Sequence, residues 1–204
     1  MDIIKVLQEE LQIGYKQAEA AVGLIDEGNT IPFIARYRKE ATGSLNDEVL
    51  RNLDERLKYL RNLEEKKEQV ISSIREQEKL TPELEKQILE AMTMVAVEDL
   101  YRPYRPKRRT RAMIAKEKGL EPLANLIWLQ QIKEPAEELA RAYVSEEKQV
   151  PSAEEAVAGA RDILAERISD QADYRSYIRK ITMDRGMIAS SAKDGEAQSV
   201  YEMY

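Results

Sequence analysis

The sequence predicts an all-α fold, and three observations predict it. Its commonest residues are Glu, Ala, Leu, Arg and Lys, all good helix formers. Aromatics make up 6% of the 204 residues, and with 8 Gly and 7 Pro there are few strand formers and few breakers. Apolar residues recur every third or fourth position through most of the chain. The expected architecture is a multi-helix bundle with an N-terminal helix-turn-helix-like part, one long helix and a short extended C-terminal tail.

Each element has a local reason. Residues 2–11 place Ile3, Ile4, Val6, Leu7 and Leu11 on an amphipathic helix. A second helix runs from 15 to 26, with Ala18, Ala21, Val22 and Ile25 on one face, and stops at Gly28-Asn29. Thr30 is placed to cap a third at Ile31-Pro32, since proline favours the first turn. That helix carries Phe33, Ile34 and Tyr37 towards the core and ends near Thr42-Gly43. Three short helices with tight turns give the helix-turn-helix-like unit, residues 1–45.

From 46 to 78 no breaker interrupts the chain. Ser44 or Asn46 caps the start, and Leu50, Leu53, Leu57 and Leu60 follow in a heptad-like stripe. The stripe fails at Glu64-Glu65-Lys66-Lys67-Glu68 and resumes at Val70, Ile71 and Ile74, so those five charged residues are expected to stand in solvent on all faces. Thr81-Pro82 starts the next helix, to about 93, and a short piece covers 96–101; together these make a long helix and hairpin over 46–101. Residues 102–111 form a Pro/Arg loop, expected to be extended because two prolines break the helix. Helices resume over 112–186, beginning from Arg111: 111–118, 122–130, 135–144, 152–169 with Ser152 and Glu155 at capping-box spacing, and 172–185. The last of these is expected to bury Tyr174, Tyr177, Ile178 and Ile181. Residues 187–204 read as a strand, turn and strand, and the finish on Tyr-Glu-Met-Tyr without a polar tail reads as the edge of a fragment.

Composition excludes much chemistry. There is no His and no Cys, which removes zinc fingers, thiolate nucleophiles, disulfides and His-centred triads. A phosphoryl-transfer role for Arg with Tyr201 or Tyr204 would need a base or metal site that scattered carboxylates do not supply. No phosphate-binding glycine loop is present, and no cofactor is expected. No apolar run approaches the ~20 residues that span a bilayer. A cytoplasmic, non-catalytic protein is expected.

The net charge of −6 conceals an uneven distribution. Residues 46–101 and 119–160 each sum to −5, whereas 102–118 sum to +7. The basic island comprises Arg102, Tyr104, Arg105, Lys107, Arg108, Arg109 and Arg111. Two readings stand: its cations contact phosphate while Tyr101 or Tyr104 stacks on a base, or they clip neighbouring acidic helices together. A smaller basic spot, Arg36, Arg38 and Lys39, either faces DNA or is a solvated helix face.

Two stretches in order carry a family resemblance. Ile31-Pro-Phe-Ile-Ala-Arg-Tyr-Arg-Lys-Glu40 is similar to a signature near the start of the bacterial Tex transcription accessory proteins. Val97-Glu-Asp-Leu-Tyr101 followed by Pro103-Tyr-Arg-Pro-Lys-Arg-Arg-Thr-Arg111 resembles their second. Leu53–Arg61, Lys79–Leu84 and Gly119–Ala124 add support, with Arg102 standing where Leu is expected and Arg105 where Lys is expected. The resemblance covers essentially the whole chain. It implies a longer protein continuing into a ribonuclease-H-like domain, a helix-hairpin-helix region and an S1 domain, the last being the main nucleic-acid binder. It implies RNA or DNA as a weakly held partner of this portion, and possible contact with the transcription machinery. The alternative function is a protein-interaction scaffold that positions the other domains without touching nucleic acid.

Overall fold

The computed structural model describes residues 1–131 and 133–191. Its described residues form eleven α-helices and two short 3₁₀ turns. They build on two hydrophobic cores.

The first core belongs to the N-terminal half. Helices α1 (Ile3–Leu11), α2 (Tyr15–Asp26) and α3 (Ile31–Tyr37) lean on one long helix, α4 (Asp47–Glu76), as expected. Leu7, Ala18, Ala21 and Ile34 are buried against Leu50, Leu53, Leu57 and Leu60. Two forked ion pairs fasten the same faces: Arg56 on Glu10 at 2.6 Å and Arg61 on Asp26 at 2.7–2.8 Å. Hydrogen bonds from these guanidinium groups hold both carboxyls below the usual carboxylate range.

Several caps behave as the sequence predicts. The Asn46 side chain accepts from Val49 N at 2.8 Å and starts α4, and Thr81 accepts from Leu84 N to start α5 (Pro82–Glu90). Thr30 sits at the N-cap of α3, but its hydroxyl makes no cap bond. That helix stops at Tyr37 rather than near Thr42, because residues 38–44 fold into a turn of their own. Helix α5 likewise ends at Glu90, since Thr93 caps α6 (Met94–Tyr101) through Ala96 N.

The charged middle of α4 corrects an expectation. Glu65 and Glu68 are exposed, yet Leu63 is buried and Lys67 is only 1% exposed. Lys67 holds the next place in the stripe, its alkyl stem packing as an apolar residue would. Its ammonium donates to Leu89 O at 2.8 Å, one of the carbonyls left open at the end of α5. It also lies 2.7 Å from Glu64 Oε1, where the angle does not make a hydrogen bond, so that contact is charge pairing. The Met1 amine donates to the other Glu64 oxygen at 2.7 Å. Burial pushes the Glu64 carboxyl up, and these two cations more than offset it.

The second core is smaller and richer in alanine. Helices α7 (Arg111–Glu117), α8 (Glu121–Leu129) and α9 (Ala136–Ala140) surround α10 (Ala153–Ser169). Ala112, Ala115, Ala156 and Ala160 let α7 and α10 approach closely, with Leu120, Leu123 and Ile163 filling the ends. Ser152 accepts from Glu155 N and caps α10 as its sequence predicts. Helix α9 is shorter than expected and passes into a 3₁₀ turn at Arg141–Tyr143.

The final helix, α11 (Ala172–Arg185), overturns its predicted burial. Tyr177 is 66% and Ile178 60% exposed, and Tyr174 and Ile181 are exposed too. The helix docks on α6 by charge instead. Arg175 Nε and Arg179 reach the two oxygens of Asp99 at 2.6 and 2.7 Å, and Asp99 is itself buried. Residues 187–191 form no strand, and the rest of the expected strand-turn-strand, 192–204, lies outside the described residues. No described helix is long and apolar enough to cross a membrane.

Candidate nucleic-acid interface

The island does not stand away from the protein. Arg102–Tyr104 is a 3₁₀ turn continuing from α6, so only residues 105–110 are irregular, which corrects the expected extended arm. Pro103 is tolerated because a short 3₁₀ turn needs no donor there. Tyr104 is half-buried against the first core, and its carbonyl accepts from Gln77 Nε2 at 2.9 Å. Tyr101 is committed as well, its hydroxyl 3.0 Å from Ser73 Oγ.

The island's cations find carboxylates within the chain. Lys107 sits between Glu166, at 3.3 Å, and Asp170. Arg102 reaches the same Asp170 at 3.3 Å and Ser169 Oγ at 3.4 Å. Arg105 lies 3.7 Å from Glu98, Arg109 2.7 Å from Glu117 and Arg111 3.8 Å from Asp162. Arg108 makes no such pair among the described residues. The partners come chiefly from α10 and its C-cap, together with Glu98 and Glu117; the acidic stretch 119–160 contributes none. The pairs differ in quality. Those of Lys107 are largely shielded from solvent, whereas the Arg105, Arg109 and Arg111 side chains are mostly exposed.

The smaller basic spot has the opposite character. Arg36, Arg38 and Lys39 are exposed, and no carboxylate lies within 4.0 Å of them among the described residues. The expectation that Phe33 and Tyr37 join the core fails. Ile34 alone is buried on α3, while Phe33 is 36% and Tyr37 61% exposed. A seven-residue helix packed on one side, against α4 and α2, buries only one stripe. The two rings lie 5.3 Å apart, and the Arg38 guanidinium lies 5.3 Å from the Phe33 centroid.

Residues 38–44 hold the spot in place. Thr42, fully buried, donates its hydroxyl to Arg38 O at 3.1 Å. Gln17 Nε2 donates to Thr42 O and Gly43 O. Gly43 has φ +60°, and a Cβ there would come within 2.7 Å of that amide, so a side chain at this position would strain the backbone and displace Gln17.

Sequence reasoning missed the joint of Asp99 with Arg175 and Arg179. The signal was present in two arginines four apart, which share one helical face. Burial pushes the Asp99 carboxyl up, but the hydrogen bonds and positive charge of the two guanidinium groups together outweigh it and hold it below the usual range.

These features can be set beside known proteins. The Tex-like protein N-terminal domain matches residues 1–75, and the Tex central region-like family matches residues 131–204. The chain belongs to the Tex family. It is 49% identical over 194 residues to the protein tex of Bordetella pertussis, covering 95% of this chain and 24% of that protein. Identity to the transcriptional accessory protein Tex of Neisseria gonorrhoeae is 45% over 196 residues, covering 96% of this chain and 26% of that protein. A more distant relative is the human S1 RNA-binding domain-containing protein 1, 28% identical over 193 residues and covered to 19% of its length. The chain thus spans about a quarter of the length of its bacterial Tex relatives. In this Tex chain the 31–40 signature forms α3 and its following turn, and the second signature forms the α6–α7 connection.

Proposed function

We propose that this chain is a non-catalytic, cytoplasmic framework module of a Tex-type transcription accessory protein, in which the basic island clips two helical units together. The module would hold the ribonuclease-H-like, helix-hairpin-helix and S1 domains expected of such a protein in position, and would associate weakly with nucleic acid itself. The observation that carries the clip is Lys107, shielded between Glu166 and Asp170 with Arg102 on the same Asp170. A cation so placed would lose two carboxylate partners to reach a phosphate. The names of the Neisseria and human relatives, a transcriptional accessory protein and an S1 RNA-binding protein, support the nucleic-acid context.

A second reading keeps the island for phosphate, and Arg108 favours it, having no ion pair among the described residues. Replacing Arg105, Lys107, Arg108 and Arg109 with Gln separates the two. The clip predicts a lower melting temperature with little change in RNA or DNA affinity. Phosphate contact predicts intact stability, weaker binding, and a salt dependence reduced by about 0.7 to 0.9 in log–log slope for each lost contact.

A further inference from the structure

The cations of the two basic regions differ in whether the chain already neutralises them. Most in the island face a carboxylate of this chain, whereas Arg36, Arg38 and Lys39 do not. Beside those three are two exposed aromatic rings on a helix that buries only Ile34. The three cations and Tyr37 border an open hollow of about 400 Å³ at the end of α3, with Glu40 the one acid on its lining.

We propose that this surface binds single-stranded nucleic acid, with Arg36, Arg38 and Lys39 on backbone phosphates and Tyr37 stacked on an unpaired base. The proposal rests on the nucleic-acid association inferred above, and its test is separable from that of the clip. Cations beside exposed rings are the combination that single strands need, because charge follows the backbone and every base offers a π face. The turn of residues 38–44 is already fixed by Thr42, Gln17 and Gly43, so little ordering is needed on binding. Arg38 over Phe33 leaves Tyr37, the more exposed ring, open for a base.

The same residues argue against reading duplex DNA. A recognition helix meets base edges with polar side chains of its N-terminal turns. The first turn of α3 offers Ile31, Pro32 and Phe33. An apolar start and a basic, aromatic end suit splayed bases.

The test uses the whole 204-residue chain and fluorescence anisotropy of a short labelled oligouridylate at several salt concentrations. Single-stranded DNA, duplex DNA and oligoglutamate serve as competitors. The triple variant Arg36→Gln, Arg38→Gln, Lys39→Gln should lose about tenfold or more in affinity at low salt. Its slope should fall by about 2, at roughly 0.7 per contact on a single strand. Tyr37→Ala should weaken binding at least about fivefold with the slope unchanged, and Tyr37→Phe should restore it. All three proteins should melt with the wild type, since the altered side chains are exposed. The proposal is overturned if wild type shows no salt-sensitive binding, or if the triple variant binds as well as wild type. Indifference to Tyr37→Ala would also overturn it, as would duplex DNA or oligoglutamate competing as strongly as a single strand. None of these outcomes depends on the island, which stays intact in every variant.

Discussion

Lys67 shows how a charged side chain can serve as a core residue. Its stem continues the leucine stripe of α4, and its ammonium closes the end of α5 through Leu89 O. Replacing it tests which part matters. Lys67→Met keeps the stem and removes the charge, leaving the Leu89 carbonyl without its donor and Glu64 with one cation fewer. The expected loss in urea denaturation is about 1–3 kcal/mol, the usual cost of an unmet buried polar group. An unchanged or raised stability would mean that the stem alone matters. Leu57→Ala, three turns earlier on the same stripe, should cost about 2–5 kcal/mol, because its side chain is fully enclosed. A loss below about 0.5 kcal/mol would place that stripe in solvent.

At the scale of elements, α11 is held by ions where its pattern promised an apolar face. Asp99→Asn removes the negative charge on which Arg175 and Arg179 converge. Tryptic cleavage at Lys180 should then quicken by about tenfold, equivalent to ~1.4 kcal/mol of easier opening when reclosing is fast. Cleavage within α4 should keep its wild-type rate; unchanged protection at Lys180 would mean that the joint does not hold the helix. Most helices were legible in the residues, because caps such as Asn46, Thr81 and Ser152 and the unbroken stripe of α4 are local signals. The burial of α11 was not. Periodicity identifies an amphipathic face but not whether another element covers it, and here Asp99 on a distant helix decides the docking. Lys67 was misread for a related reason, since a lysine's letter does not say where its stem lies. The basic island was legible as a cluster. The carboxylate partners of Arg102 and Lys107, about 60 residues further along in α10 and its C-cap, become visible only in three dimensions.

At the scale of the whole molecule, two cores are joined through charge: Asp99 with two arginines, and Lys107 and Arg102 with the end of α10. Electrostatics therefore set the chain's response to acid. Glu10, Asp26, Glu64 and Asp99 all have folded pKa values depressed below their ordinary ones. Each contributes stability that is fully present above the unfolded pKa of about 4 and is lost as pH falls through the lower folded value. Thermal stability should thus be level with respect to these groups from about pH 7 to 5 and fall steeply below about pH 4. A midpoint of loss near neutrality would point to other groups. The clip itself is tested most directly by a double-mutant cycle on Lys107 and Asp170, measured by urea denaturation. Lys107→Met and Asp170→Asn are made singly and together. A clip predicts a coupling of at least about 0.5–1 kcal/mol, as expected for partners in one partly buried network. A coupling of zero within error, with each single variant as stable as wild type, would contradict it and return the island's cations to the solvent.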